Sequence, residues 1–325
     1  MKNKYLYLIA ILTTATIAWF WYQNYEQETT NELACNEQTI VFHENNPAQN
    51  NPIDTKITTP ILSNELAIDN NNYHIFFDVG HVLLHNSGTM AAKAVGVSNM
   101  LWYTVKHKKT PDHKEIQGRL FAFIDHCTKR PRGSALFNDE QLPGLMCDWV
   151  KGHIKSTELL NTILSYEKEA NEFFISTEEK NLVLGTLALF KPDVICKIQR
   201  PVAKMVKFFQ DCNQAFPGRI YILSNWDGES AKLVRKKYPQ IFNIIKAQNI
   251  FFSGDIGQVK PEASVFNYIT DHLNLDPKKC ILIDDNQVNI AAAEALAWQT
   301  ILHTSPEDTI LRLKGIISAE QLKIL

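Results

Sequence analysis

Four short segments place reactive side chains at the ends of apolar runs: FFDVGHVLL (76–84), YILSNWD (221–227), VKPE (259–262) and ILIDDN (281–286). They supply Asp78, Ser224 with Asn225, Lys260, and the pair Asp284–Asp285. Carboxylates brought together repel one another unless a cation offsets them. Oxygen ligands suit a hard ion such as Mg2+. With such an ion present, Asp78 can attack phosphorus and form an aspartyl-phosphate. Ser224 and Asn225 can hydrogen-bond phosphoryl oxygens, and Lys260 can neutralise developing charge while steadying Asp78. The metal would offset negative charge and orient a phosphate ester for in-line attack. Taken singly, these residues have plainer uses. Ser224 suits a turn, Lys260 a solvated surface, and Asp284–Asp285 before Asn286 the start of a helix. The ordered set of four carries the reading.

The elements that must hold these residues follow from the pattern around them. HIFFDV (74–79) is a continuous apolar run ending in a charge, which suits a parallel strand buried on both faces. Further strands are expected at 219–224, 250–254, 280–284 and 299–303. Helices are expected at 201–215, 228–238, 287–296 and near 306–314, with another opened by Pro261 in its first turn. Strands alternating with helices imply an α/β fold with a doubly wound parallel sheet. In such sheets the ligand sits beyond the carboxyl ends of the strands, where Asp78, Ser224, Asp284 and Asp285 all fall. Between the first strand and the rest, residues 90–200 read as mostly helical. STELLNTILSYEKEA (156–170) is expected to start on a Ser156 cap and TEEKNLVLGTLALF (177–190) on a Thr177 cap, with breaks at Pro192 and Pro201. The expected organisation is a core of 73–89 and 201–325, with 90–200 inserted above the strand ends as a cap.

A formal charge of −2 over 325 residues predicts no broad attraction to nucleic acid. The six cysteines (Cys35, Cys127, Cys147, Cys196, Cys212 and Cys280) show no C-x-x-C pair and no zinc spacing, and buried thiols are the plainer reading over disulfides. The N-terminus is different in kind. Tyr5 to Tyr22 is uncharged and apolar, preceded by Lys2 and Lys4 and closed by Trp19, Phe20, Trp21 and Tyr22. A bilayer needs about 17–25 such residues, and amphipathic aromatics suit its interface. Glu26, Glu28 and Glu32 follow, with no Lys or Arg until Lys56. The charge asymmetry predicts an N-terminal transmembrane helix (1–22) with the main domain extracytoplasmic. A cleaved signal and a secreted product form the alternative. Residues 23–72 are polar and proline-punctuated, and read as a largely unstructured tether.

With these motifs in order, the chain resembles the haloacid dehalogenase superfamily, in its phosphatase branch. The likeness covers about 73–85 and 201–303, and is nearest to the subgroup of YihX-like phosphatases and the phosphatase domain of soluble epoxide hydrolase. By that resemblance Asp78 is the nucleophile and a metal ligand, and the Gly80 carbonyl is a second ligand. Ser224, Lys260 and Asp284–Asp285 match the second, third and fourth motifs. Of the pair, Asp285 is expected on the metal with Asp284 supporting it. The cofactor so implied is Mg2+ and the substrate a small phosphorylated metabolite, a sugar phosphate among the candidates.

One position departs from the usual pattern. Many members carry a second aspartate two residues after the nucleophile, as general acid and base, where this chain has Gly80. The YihX-like subgroup also has glycine there. Leaving-group protonation is thereby unassigned, with His81 or His85 as candidates. A sugar 1-phosphate would ease the difficulty, because an anomeric leaving group is less basic. The competing readings are a dehalogenase-type C–X hydrolase, C–P cleavage, and a catalytically inactive membrane-tethered scaffold. The Asp284–Asp285 pair favours phosphate chemistry over the first two.

Overall fold

The computed structural model describes residues 72–317. The expected membrane anchor and all but the last residue of the tether lie outside them, as does Cys35. Among the described residues no helix is long and apolar enough to cross a membrane.

The strands are β1 (His74–Phe77), β2 (Leu84–Asn86), β3 (Leu136–Phe137), β4 (Glu140–Gln141), β5 (Gln199–Pro201), β6 (Ile220–Ser224), β7 (Ile250–Phe252), β8 (Cys280–Asp284) and β9 (Gln299–Leu302). Five of them form one parallel sheet in the order β7-β6-β1-β8-β9. Chain order reverses at β1. The next core strand, β6, lies on one side of it and β8 on the other. That reversal opens a crevice beyond the ends of β1 and β8, where α/β sheets bind ligands.

The continuous apolar runs have a physical reason, since both sheet faces are covered. Ile75, Phe77, Ile222, Ile281 and Ile283 pack under the helices Ala203–Ala215, Gly228–Lys237 and Pro306–Ile316. Phe76, Tyr221, Leu223 and Leu282 point the other way, against Ala263–Leu273 and Gln287–Glu294. Each fully buried Phe or Ile contributes about 1.5–3 kcal/mol relative to exposure.

The chain leaves this layer through β2 and returns through β5. The two pair antiparallel, Leu84 opposite Pro201 and Asn86 opposite Gln199, and make a two-stranded neck. Between them lie eight helices, from Gly88–Val95 to Pro192–Ile198, and the hairpin β3–β4. They bury an apolar cluster of their own, including Leu120, Phe121, Phe123, Trp149, Leu159 and Val183.

Several boundaries differ from the expectations. The helix expected over 156–170 is two, Ser156–Leu164 and Glu167–Phe173. Ser165 Oγ donates to the Thr162 carbonyl at 2.7 Å, a local bond that competes with helix continuation. Ser156 is not the cap residue. Its hydroxyl accepts from Trp149 Nε1 at 3.0 Å, and its N–H is capped by Glu229 of the core at 2.8 Å. The cap of the next helix is Ser176, not Thr177. That helix ends at Gly185 and continues as a 3-10 turn, Thr186–Phe190. Residues 199–201 are strand because they close the neck, so the following helix starts at Ala203. Pro261 precedes the N-cap residue Glu262 and is not in the first turn. All five described cysteines are free thiols.

Candidate active site

Three strand ends and one loop meet in the crevice. Asp78 follows β1, Ser224 ends β6, Asp284 ends β8 and is followed by Asp285, and Lys260 arrives from the loop before Ala263–Leu273. Lys260 is the centre. It is 1% exposed, and its ammonium donates to Asp78 Oδ1 at 2.8 Å, to the Leu223 carbonyl at 2.9 Å, and to Asp284 Oδ2. An ammonium has three N–H groups and all three are spent. Burial alone would lower the lysine pKa, but Asp284 and Asp78 reverse that and hold it charged, above its ordinary value. The arrangement fits a lysine that fixes Asp78 and neutralises charge beside it.

The two aspartates of the pair are unlike. Asp284 is fully buried. Its carboxylate also accepts from the Asn286 N–H at 2.9 Å and from Asn289 Nδ2 at 3.0 and 3.2 Å. Asp285 lies at the rim, with its residue surface open to solvent. Partial desolvation of its carboxylate, then repulsion from Asp78 and Asp284, pushes its pKa up to about 7. Asp78 is buried, and its pKa is raised by desolvation; Lys260 opposes the shift and Asp284 adds to it. Ser224 hydrogen-bonds the same carboxylate and also holds it down.

Oxygen atoms of Asp78, Asp284 and Asp285 lie within 4.8 Å of one another. All-oxygen donors with surplus negative charge fit a hard divalent cation. Asp284 is engaged by Lys260, Asn286 and Asn289, so Asp78 and Asp285 would have more lone pairs left for such an ion. Gly80, two residues beyond Asp78, leaves space. A Cβ placed there would meet the Asp78 carboxylate at 3.7 Å, an ordinary contact. Packing does not force glycine at this position.

Asn225 stands next to Ser224 as expected, but its side chain is occupied. Its Nδ2 donates to the Lys260 carbonyl at 2.8 Å and its Oδ1 accepts from the Lys260 N–H at 3.0 Å. The amide therefore clamps the backbone of the lysine. Asp227, at the end of the same segment, caps the helix Gly228–Lys237 through the N–H groups of Glu229 and Ser230. Trp226 is buried in the core of the sheet layer.

The histidines separate. His81 lies in a left-handed turn (φ 56°) close enough to Asp78 to feel its charge; desolvation lowers its pKa although Asp78 opposes this. His85 belongs to the neck, paired with Arg200. His303 and Asn289 lie outside the four motifs. The N–H of His303 donates to the Asp284 carbonyl at 2.8 Å, its ring bonds Thr309 Oγ1 at 2.7 Å, and burial lowers its pKa. A signal for it existed, since it follows the last apolar strand as Asp78 follows the first. Asn289 carried a fainter one, in the first turn of the helix after the aspartate pair.

A parallel sheet with its acidic cluster at the switch point and a buried lysine among the carboxylates marks an α/β enzyme core. The haloacid dehalogenase-like hydrolase family matches residues 74–296, and the chain belongs to that family. It is a hydrolase. Among curated proteins, a CBBY-like protein of Arabidopsis thaliana is 32% identical over 62 residues, which is 18% of this chain and 19% of that protein. The match thus spans about a fifth of that relative's length. Among solved structures, a haloacid dehalogenase family enzyme from Bacteroides thetaiotaomicron, crystallised with magnesium and inorganic phosphate, is 17% identical with a TM-score of 0.43 over 70% of this chain and 91% of that one. A HAD-like family hydrolase from Porphyromonas gingivalis is 18% identical with a TM-score of 0.45, over 74% and 96%.

Proposed function

We propose that the protein is a Mg2+-dependent phosphomonoesterase acting on a small phosphorylated metabolite. The observation that carries this is the cluster of Asp78, Asp284 and Asp285 around the saturated ammonium of Lys260. Magnesium held by Asp78, Asp285 and the Gly80 carbonyl would offset the charge of a phosphoryl group entering an acidic site.

The chain's own residues then divide the work. Asp78 attacks phosphorus through a carboxylate oxygen; the P–O bond to the leaving group breaks and an aspartyl-phosphate remains. Lys260 favours the ionised form of Asp78 against burial and aims it, because it donates to Oδ1. Ser224 lies beside the same carboxylate, and its hydroxyl can turn from Asp78 to donate to a phosphoryl oxygen. Asn225 serves indirectly, by fixing the lysine. Water then attacks the acyl phosphate, releasing inorganic phosphate and restoring Asp78.

The leaving group needs a proton, or must tolerate leaving without one. The lowered pKa of His81 keeps it mostly neutral at pH 7, a state that accepts a proton more readily than it gives one. With Gly80 in place of an acid, the site favours esters whose leaving groups are weakly basic. Sugar 1-phosphates are the natural class, in keeping with the likeness to YihX-like phosphatases.

The test is release of phosphate from para-nitrophenyl phosphate and from a panel of sugar phosphates, with and without Mg2+. Asp78→Asn should lower kcat by about a thousandfold or more, because no other group replaces a lost nucleophile. Turnover by the wild type that survives Asp78→Asn or removal of the metal would sink the reading.

A further inference from the structure

Lys260 stands on a short turn that the cap holds from both sides. Val259, just before it, is fully buried in the apolar cluster of the cap. Glu262, two residues after it, accepts from Ser134 Oγ at 2.5 Å and from Lys151 Nζ at 2.7 Å, both in the cap. The Glu262 N–H closes the turn on the Val259 carbonyl at 3.0 Å.

Lys151 is itself presented from a fixed place. It follows the helix Gly144–Val150, and the Val150 carbonyl accepts from Ser253 Oγ of the core at 2.8 Å. At Gly152 a Cβ would stand 2.3 Å from the Gly254 carbonyl oxygen, so this end of the cap touches core backbone where only glycine fits. On the sheet side the lysine is held by the Asn225 amide and by the acceptors of its ammonium.

We propose that Glu262 and Val259 are positioning residues through which the seated cap sets where Lys260 stands against Asp78. Charge-assisted hydrogen bonds weaken steeply with misplacement, and an error near 1 Å in a reacting constellation is costly. Cap and nucleophile are thus joined by a chain of contacts from Lys151 through Glu262 and Lys260 to Asp78. The kinetic side of this inference rests on the phosphatase reading; the structural side does not.

The experiment uses the full chain with para-nitrophenyl phosphate and Mg2+. Glu262→Ala and Lys151→Met should each lower kcat about five- to tenfold, with KM within about twofold. The double variant should be no worse than Glu262→Ala, which already loses the bonds to both Lys151 and Ser134, since Lys151 acts through Glu262. The charge-swapped pair, Glu262→Lys with Lys151→Glu, should recover most of kcat. Independently of turnover, hydrogen exchange at the amides of Lys260 and Glu262 should quicken in Lys151→Met. Additive kinetic losses, or unchanged exchange at those amides, would overturn the proposal. A wild type that releases no phosphate would refute the phosphatase reading, while the exchange measurement would still decide the coupling.

Discussion

The sheet edge and the cap treat charge in opposite ways. At the sheet edge Lys260 and Asp284 are 1% and 0% exposed, and Lys260 is bonded to both Asp284 and Asp78. In the cap, Arg130 pairs with Asp148 while their side chains stay 51% and 37% exposed, and Lys109 pairs with Glu115 at 55% and 42%. Burying an ion costs several kcal/mol, and apolar residues of equal size would often be at least as stable. Exposed pairs cost little and return about 0–1 kcal/mol. Stability alone therefore does not account for the buried cluster, while the exposed cap pairs mainly keep the surface in water; the cap pair Arg119–Glu179, at 33% and 7%, lies between the two. The ion pair between the two regions joins groups of intermediate exposure, Lys151 and Glu262 at 21% and 26%.

The sharpest way to break this contrast is Lys260→Met, which removes the cation and keeps the volume. Asp78 and Asp284 would be left in a buried site with no positive partner. Stability at pH 7 should fall by about 3–5 kcal/mol, as for other buried pairs that lose one member. Denaturant unfolding measures it. A loss under about 1 kcal/mol would mean that the cluster relaxes into water and resembles the cap pairs after all.

A second test concerns Asp285, the member of the cluster that reaches the rim. Its pKa without metal is raised from 3.8 to about 7. Between those pH values the folded protein holds a proton that the unfolded chain has released, so this group makes stability fall as pH rises. Above pH 7 the carboxylate is ionised against Asp78 and Asp284, and a cation relieves the repulsion. Mg2+ should therefore raise Tm more at pH 8 than at pH 5.5. Asp285→Asn should raise the metal-free Tm at pH 8 and abolish most of the Mg2+ response. Equal Mg2+ shifts at both pH values would show that Asp285 does not face the ion.

The same contrast explains what the sequence made legible. Strands β6 and β8 were readable almost to the residue because burial on both faces turns each into an unbroken apolar run. Ser224 and Asp284 were readable because they end those runs. Pairing between distant loops leaves no such trace. Asn225 sits in the second motif, and the use of its amide on the Lys260 backbone, 35 positions away, appears only once the loops meet. The neck strands match residues 84–86 with 199–201, across the whole cap, so neither reads as a strand alone. Inside the cap, helical periodicity showed that helices exist. It did not show where they stop, because the breaks depend on single bonds such as that of Ser165. No segment of the cap joins an apolar run to a reactive side chain, so its part in the site was invisible until Glu262 was seen against Ser134 and Lys151.

The smallest effect belongs to the cap surface. Arg130→Ala removes the 2.7 Å bond to Asp148 Oδ2. Both partners are solvated, so the lost attraction is offset by water and by regained side-chain freedom. Stability should change by less than about 1 kcal/mol, and kcat on para-nitrophenyl phosphate should stay within error. Asp148 also lies 3.7 Å from His153 Nδ1, so the aspartate keeps a neighbour when Arg130 goes. The informative comparison is with Lys151→Met, another cap cation removed from a 2.7 Å bond to a carboxylate. The two variants lose a similar contact at a similar distance, but one partner is Asp148 on the cap and the other is Glu262 beside Lys260. If both left kcat unchanged, proximity to the lysine turn would confer nothing. If Arg130→Ala lowered kcat as much as Lys151→Met, the loss would come from loosening the cap as a whole. A fall in kcat for Lys151→Met alone separates a charge that keeps the surface wet from one that holds the site.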